Sequence, residues 1–254
     1  MGLSSAHPLA VRRGAAAKPA IIVPITGDTG EAVLDAATAT VGSPAGVVEW
    51  RADGLDELTP GAVAATVSAL DEVLADPVLV TVRTRAEGGS ADIDDETYVE
   101  LVLAAIASGA AAYVDVEFRR EAHAVATLVS AARDAGVGVV LSAHDFGGTP
   151  AAGELRELFE AMCSVGADVV KVAVMPRDAR DVLRMLEVAL DVRQAHPDQA
   201  LISIAMGSLG VVTRIAAATF GSVATFAAVG EASAPGQLDA DTLRCLLDAI
   251  DVDN

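Results

Sequence analysis

Short apolar runs and longer amphipathic ones take turns along this chain. Residues 21–25 are compact and β-branched, and residues 31–41 follow with helical spacing. The pair of patterns then recurs. Strand-like runs fall at 46–50, 78–82, 111–116, 137–141, 168–174, 201–204 and 223–227. Helical patterns follow them at 60–74, 93–107, 121–135, 151–164, 178–193, 211–218 and 239–250. Strand-then-helix units without a long linker imply a parallel sheet with right-handed crossovers. Eight of them in about 250 residues predict an α/β fold, a closed (β/α)8 TIM barrel forming one domain over 19–254. The alternative is an open doubly wound sheet, which carries a G-x-G-x-x-G turn after its first strand. Here that turn reads Gly-Asp-Thr-Gly at 27–30, and no Walker sequence occurs.

Composition agrees with the barrel. Hydrophobic residues make up 52% of the chain and aromatics only 3%, so the core must be built from Ala, Val, Leu and Ile. That suits helices packed on a parallel sheet. The net charge is -19, from 17 basic and 36 acidic residues, which argues against a nucleic-acid partner. The same charge would repel an anionic substrate unless arginines cluster locally. Cys163 and Cys245 form neither a metal spacing nor a disulfide framework, which fits a reducing, cytoplasmic compartment. No apolar run approaches the roughly 20 residues of a membrane span, so no membrane partner is expected. Residues 1–18 carry Arg12 and Arg13 but no apolar stretch like that of a secretory signal, and read as a mobile or loosely packed leader.

A barrel active site lies at the C-terminal ends of the strands, on inward positions two apart. Unusual polar residues recur there. Glu49, Arg51 and Asp53 share one face at the end of the second strand. Arg83 ends the third, with Glu87 in the loop beyond. Asp115 and Glu117 end the fourth, and Ser142 and His144 the fifth. Each set has a plain structural reading: Glu49 with Arg51, Arg83 with Glu87, and Asp115 with Glu117 as ion pairs or networks bracing the rim. His7 and His123 read as surface residues without polar company, His196 before Pro197 as a surface residue, and none of the four histidines has metal-site spacing.

Lys171 stands out because it sits in the middle of an apolar strand, Ala-Asp-Val-Val-Lys-Val-Ala-Val-Met at 167–175. Burying an ammonium is costly without compensation. The compensation is either an ion pair or a chemical use, since desolvation favours the neutral, nucleophilic amine. A lysine beside a strand-end histidine, with a carboxylate near by, is what imine chemistry requires. The amine attacks a ketone and the imidazole moves protons.

The polar pieces also resemble, in order and spacing, the type I 3-dehydroquinate dehydratase family. They are Glu-Trp-Arg-Ala-Asp (49–53), Arg-Thr-Arg-Ala-Glu-Gly-Gly (83–89) and Ser-Ala-His-Asp-Phe-Gly-Gly-Thr-Pro (142–150). Ala-Asp-Val-Val-Lys-Val-Ala-Val-Met-Pro (167–176), Met-Gly-Ser-Leu-Gly-Val-Val-Thr-Arg (206–214), Phe-Gly-Ser (220–222) and Ala-Ser-Ala-Pro-Gly-Gln (232–237) complete the match. The resemblance implies a (β/α)8 barrel, a homodimer without metal or organic cofactor, and syn elimination of water from 3-dehydroquinate through a lysine imine. By position it implies that Lys171 forms the imine, His144 is the general acid/base and Glu87 pairs with that histidine. It places Glu49, Arg51 and Arg83 at the substrate hydroxyls and ring, and Arg214 at its carboxylate. Ser233 and Gln237 fall in a loop that closes over the substrate, and Met206 and Phe226 form apolar walls. One position departs from the pattern: Pro24 stands at the end of the first strand where some members have a serine, leaving Thr26 as the nearest hydroxyl. No appended second domain is expected. The competing readings are another imine-forming barrel lyase, such as an aldolase, and a barrel kept as a ligand-binding module.

Overall fold

The computed structural model describes residues 7–11, 18–230 and 234–250. Within them the alternation resolves into parallel strands, each followed by a helix. They run β1 (Ala20–Ile25), α1 (Gly30–Thr40), β2 (Val47–Arg51), α2 (Pro60–Val73), β3 (Val78–Thr81) and α3 (Asp95–Ala107). Then come β4 (Tyr113–Glu117), α4 (Ala122–Ala135), β5 (Gly138–Asp145), α5 (Ala152–Ser164), β6 (Val169–Val174) and α6 (Ala179–Ala195). The last are β7 (Ala200–Ala205), α7 (Val211–Ile215), β8 (Ala224–Ala228), a two-residue β9 (Leu238–Asp239) and α8 (Ala240–Ile250).

Helix starts follow from local chemistry. The Thr29, Thr59, Asp94 and Asp178 side chains accept first-turn backbone N–H groups of α1, α2, α3 and α6. Such a cap is worth about 1 kcal/mol, and Pro60 opens α2 where no N–H is needed.

The strands pair in the order β7-β6-β5-β4-β3-β2-β1-β8. The ring closes between β7 and the base of β8, where the Val223 N–H donates to the Leu201 carbonyl at 2.8 Å and Leu201 bridges Ser222. Farther up, β9 takes the outer edge of β8, pairing Leu238 with Ala227. This closed barrel is the predicted fold, with β9 as an addition.

Side chains alternate across the wall. Val48, Trp50, Val80, Val114, Leu141 and Val172 pack outward against helix residues such as Val63, Leu101, Leu128 and Phe159. Ile22, Val47, Leu79, Tyr113, Val140 and Val169 point inward and fill the lower barrel. Leu9 belongs to this inner cluster and is wholly buried. The Leu9 N–H faces the Tyr113 hydroxyl at 3.4 Å, and the His7 ring nitrogen bonds the same hydroxyl. Two expectations are thereby corrected: the described part of the leader is packed, and His7 has a polar partner. His123 and His196 also have partners, Glu121 at 3.1 Å and Glu160 at 2.7 Å.

Two elements differ in length from the pattern. β5 runs on to Asp145 because Ser142, His144 and Asp145 pair in register with β6, opposite Lys171, Ala173 and Val174. α7 is only five residues long. A turn at Ser208–Gly210 precedes it, and Gly210 lies so close to the Ala205 carbonyl that any Cβ would collide at 1.9 Å.

Candidate active site

Four inward positions from the even-numbered strands meet at one level: Glu49 on β2, Asp115 on β4, Lys171 on β6 and Phe226 on β8. Four side chains from alternate strands are the usual filling of a barrel layer, normally branched and apolar. Here the layer is ionic. Lys171 Nζ lies 3.5 Å from Glu49 Oε1 and 3.6 Å from Asp115 Oδ2, and 4.4 Å from the centre of the Phe226 ring. All four residues are buried. The structural reading of Lys171 as an ion-paired group is therefore satisfied, and the amine still opens onto the pocket above.

Arg83, just beyond β3, organises the carboxylates around it. Its guanidinium reaches Asp115 at 2.8 Å, Glu117 at 3.1 Å, Glu87 at 3.2 Å and the Ser142 hydroxyl at 3.0 Å. Burial opposes its charge, but Asp115, Glu117 and Glu87 together outweigh that and raise its pKa. Glu117 also accepts the Thr84 N–H and hydroxyl, at 2.8 and 2.7 Å. The expected Arg83–Glu87 pair and the Asp115–Glu117 network are both present, but in the barrel interior and not on its rim. The pair on β2 is different from the one expected. Arg51 binds Asp53 bidentately, at 2.7 and 2.8 Å, while Glu49 accepts the Thr81 hydroxyl at 3.0 Å and faces Lys171.

At the top of β5, His144 Nδ1 lies 3.0 Å from Glu87 Oε2. Burial, and then the cations Arg83, Lys171, Arg51 and Arg119, hold the imidazole well below the usual histidine range. Burial pushes the Glu87 carboxyl up to about 7; Arg83 works against this, while Glu117 and Asp115 add to it. The imidazole is thus neutral, its Nδ1–H directed at Glu87, and Nε2 is left as a proton acceptor.

Arg214 differs from the other buried arginines. Among the described residues it has no carboxylate partner; its guanidinium reaches only the Phe226 and Pro235 carbonyls, at 3.4 and 3.3 Å. Burial lowers its pKa to about 10, still leaving a cation at neutral pH. A buried cation facing a pocket without a counter-charge is a place for an anionic ligand.

One pocket collects these groups. Lys171, His144, Glu87, Glu49, Arg51 and Arg83 line it, as do Met206, Arg214, Phe226 and Gln237. Ser233 lies outside the described residues. Pro24 is buried beside Glu49 in the sheet and Thr26 is exposed; neither lines the pocket. Reading the sequence missed Phe146, Ala173 and Ile204. The last two could have been found by counting two residues along β6 and β7 from the buried positions below them. Phe146 packs on Gly88, whose positive φ and lack of a Cβ make room for the ring. No group of three or more His, Cys, Asp or Glu among the described residues is arranged to hold a metal ion. No helix among them is long and apolar enough to cross a membrane.

Comparison with known proteins points the same way as this geometry. A 3-dehydroquinate dehydratase of Lactiplantibacillus plantarum is 40% identical over 229 residues, covering 89% of this chain and 90% of the relative. The type I 3-dehydroquinate dehydratase of Clostridium difficile, solved with covalently modified comenic acid, superposes with a TM-score of 0.89 at 30% identity, covering 92% of this chain and 93% of that one. The 3-dehydroquinate dehydratase of Geobacillus kaustophilus gives 0.87 at 33% identity, covering 92% and 91%. The family model for type I 3-dehydroquinase matches residues 21–254. A barrel whose central layer holds a lysine between two carboxylates, with that match over nearly its whole length, belongs to the type I 3-dehydroquinase family.

Proposed function

We propose that Lys171, His144 and Glu87 carry out the reaction of this enzyme, the dehydration of 3-dehydroquinate to 3-dehydroshikimate in the shikimate pathway, through a lysine imine. The observation that supports the assignment most directly is the pairing of two buried cations in one pocket. Lys171 offers an amine, and Arg214 awaits an anion. A carboxylate held by Arg214 would bring the substrate ketone over Lys171. Arg51, Glu49 and Gln237 offer polar groups to the hydroxyls around the ring, and Met206 and Phe226 cover its apolar side. Arg83 reaches the pocket wall with its guanidinium engaged by carboxylates, so its contribution is to hold them in place.

The Lys171 amine adds to the ketone, water leaves, and the protonated imine makes the neighbouring C2 proton acidic. Neutral His144 takes that proton through Nε2, and Glu87 steadies the imidazolium so formed. The imidazolium then protonates the departing hydroxyl on the same face, giving a syn elimination. Water finally hydrolyses the imine and restores Lys171. On this reading the protein is a cytoplasmic homodimer that uses neither metal nor organic cofactor. Its net charge of -19 disfavours nucleic acid as a partner.

The experiment is reduction with borohydride in the presence of 3-dehydroquinate, followed by mapping of the adduct. The expected site is Lys171; an adduct on another residue, or none, overturns the assignment. Turnover should also survive EDTA, and loss restored by added zinc or magnesium would overturn the metal-free reading.

A further inference from the structure

Asp115 has no task in the reaction as described, yet it is wholly buried and does not line the pocket. Its two oxygens differ. Oδ1 accepts the Ser142 hydroxyl at 2.7 Å and lies 2.8 Å from an Arg83 nitrogen. Oδ2 has no hydrogen-bond partner and lies 3.6 Å from Lys171 Nζ. A buried carboxylate oxygen left without a partner is costly, and this one faces the nitrogen that forms and breaks the covalent bond to substrate.

We propose that Asp115 is the positioning counter-ion that Lys171 keeps throughout the covalent cycle. The inference rests on Lys171 being the imine-forming amine. Imine formation turns one ammonium and one ketone into one protonated imine and one water. A C=N bond forms, the C=O bond breaks, two protons pass from nitrogen to the departing oxygen, and nitrogen keeps one proton and the positive charge. The charge is therefore present at the same place before and after the bond forms. A fixed carboxylate there serves both states without rearrangement.

Glu49 cannot serve as well. It lies 3.5 Å from Nζ, but it lines the pocket, where substrate hydroxyls compete for it. Asp115 stands behind the lysine and is anchored through its other oxygen. The other titratable or charged groups near Lys171 are Arg83 beyond β3, Glu117 on β4, the neutral His144 on β5, Glu87, and Arg51 and Arg214 on the pocket wall. Glu87 and Glu117 are tied to Arg83, and His144 to Glu87.

The test is Asp115→Asn, which keeps the shape and the acceptor for Ser142 but removes the charge. Two readouts address the charge and not the packing. The first is the pH dependence of Lys171 arylation by trinitrobenzenesulfonate, with the modified residue located by mass spectrometry. Losing an anion at this distance should move the midpoint down by about one pH unit or more. The second is the fraction of enzyme trapped by borohydride with 3-dehydroquinate, expected to fall about tenfold or more. A folded variant with either an unmoved midpoint or an undiminished Lys171 adduct overturns the proposal. If the wild-type adduct lies elsewhere, the assignment of Lys171 fails first, so the two failures are distinct. Should the variant not fold, the carbon-13 resonance of the Asp115 carboxyl in the wild-type enzyme decides. It should report a carboxylate both before and after trapping, and a protonated carboxyl in the trapped enzyme overturns the proposal.

Discussion

Oε2 of Glu87 accepts both the Nδ1–H of His144, at 3.0 Å, and the backbone N–H of the same residue, at 3.1 Å. One oxygen thus fixes the imidazole ring and the strand that carries it. Rotating the ring would break its bond to Oε2, which the Arg83 guanidinium holds in place at 3.2 Å, so Nε2 is presented to the pocket.

The acid limb of activity should depend on a cation outside the pocket wall. Arg119 donates to the His144 carbonyl at 2.9 Å and lowers the pKa of both His144 and Glu87. In Arg119→Ala both values rise, so the acid limb of kcat/KM should move to higher pH by a few tenths to about one unit. Because Arg119 is exposed, the shift should shrink at high salt. A pH–rate profile at two ionic strengths checks this.

Glu87 should make the wild-type enzyme less stable as pH rises. Its carboxyl is pushed up to about 7 in the folded protein, against the ordinary glutamate value of 4.5. The folded state therefore binds more protons between those values, and the stability present below the lower one is lost as pH rises through the upper one. Glu87→Gln removes this loss. The difference in Tm between the variant and wild type should be more positive at pH 8 than at pH 5, measured by thermal unfolding in the absence of substrate.

Removing Arg214, which has no carboxylate partner among the described residues, should separate binding from folding. Arg214→Gln loses charge-assisted hydrogen bonds to a carboxylate, so KM for 3-dehydroquinate should rise about 100-fold. Since burial already destabilises the free cation, Tm should not fall. Steady-state kinetics and thermal unfolding together test both halves.

The segment below the barrel should be structural. Leu9→Ala empties part of the inner cluster and should cost about 2–5 kcal/mol by denaturant unfolding. The kcat of the folded fraction should stay within about twofold, because the pocket lies at the opposite end.

The barrel was legible because its strands are buried on both faces and its helices on one, and these periods differ plainly in the chain. Period-two counting also found Glu49, Arg51, Asp115, Glu117, Ser142 and His144, since inward positions on a strand admit no other spacing. What it could not supply was partnership across strands. Arg51 turns to Asp53 and not to Glu49 because the chain bends into a short turn at Ala52–Gly54 immediately after β2. Leu9 was unreadable for a different reason: with only Val11 near it the apolar segment is too short to show a period, and only Tyr113 and the inner cluster give it a place. β9 is two residues long and leaves no alternation to detect.

Leu9 and Tyr113 close the lower end of the barrel under the ionic layer. Among the described residues the barrel is therefore a blind vessel with one mouth. The substrate, the water expelled as the imine forms, the water eliminated from the ring and the water that finally cleaves the imine all share that passage. Product cannot leave ahead of the hydrolytic water, so traffic through the mouth orders the last steps of the cycle as well as the first.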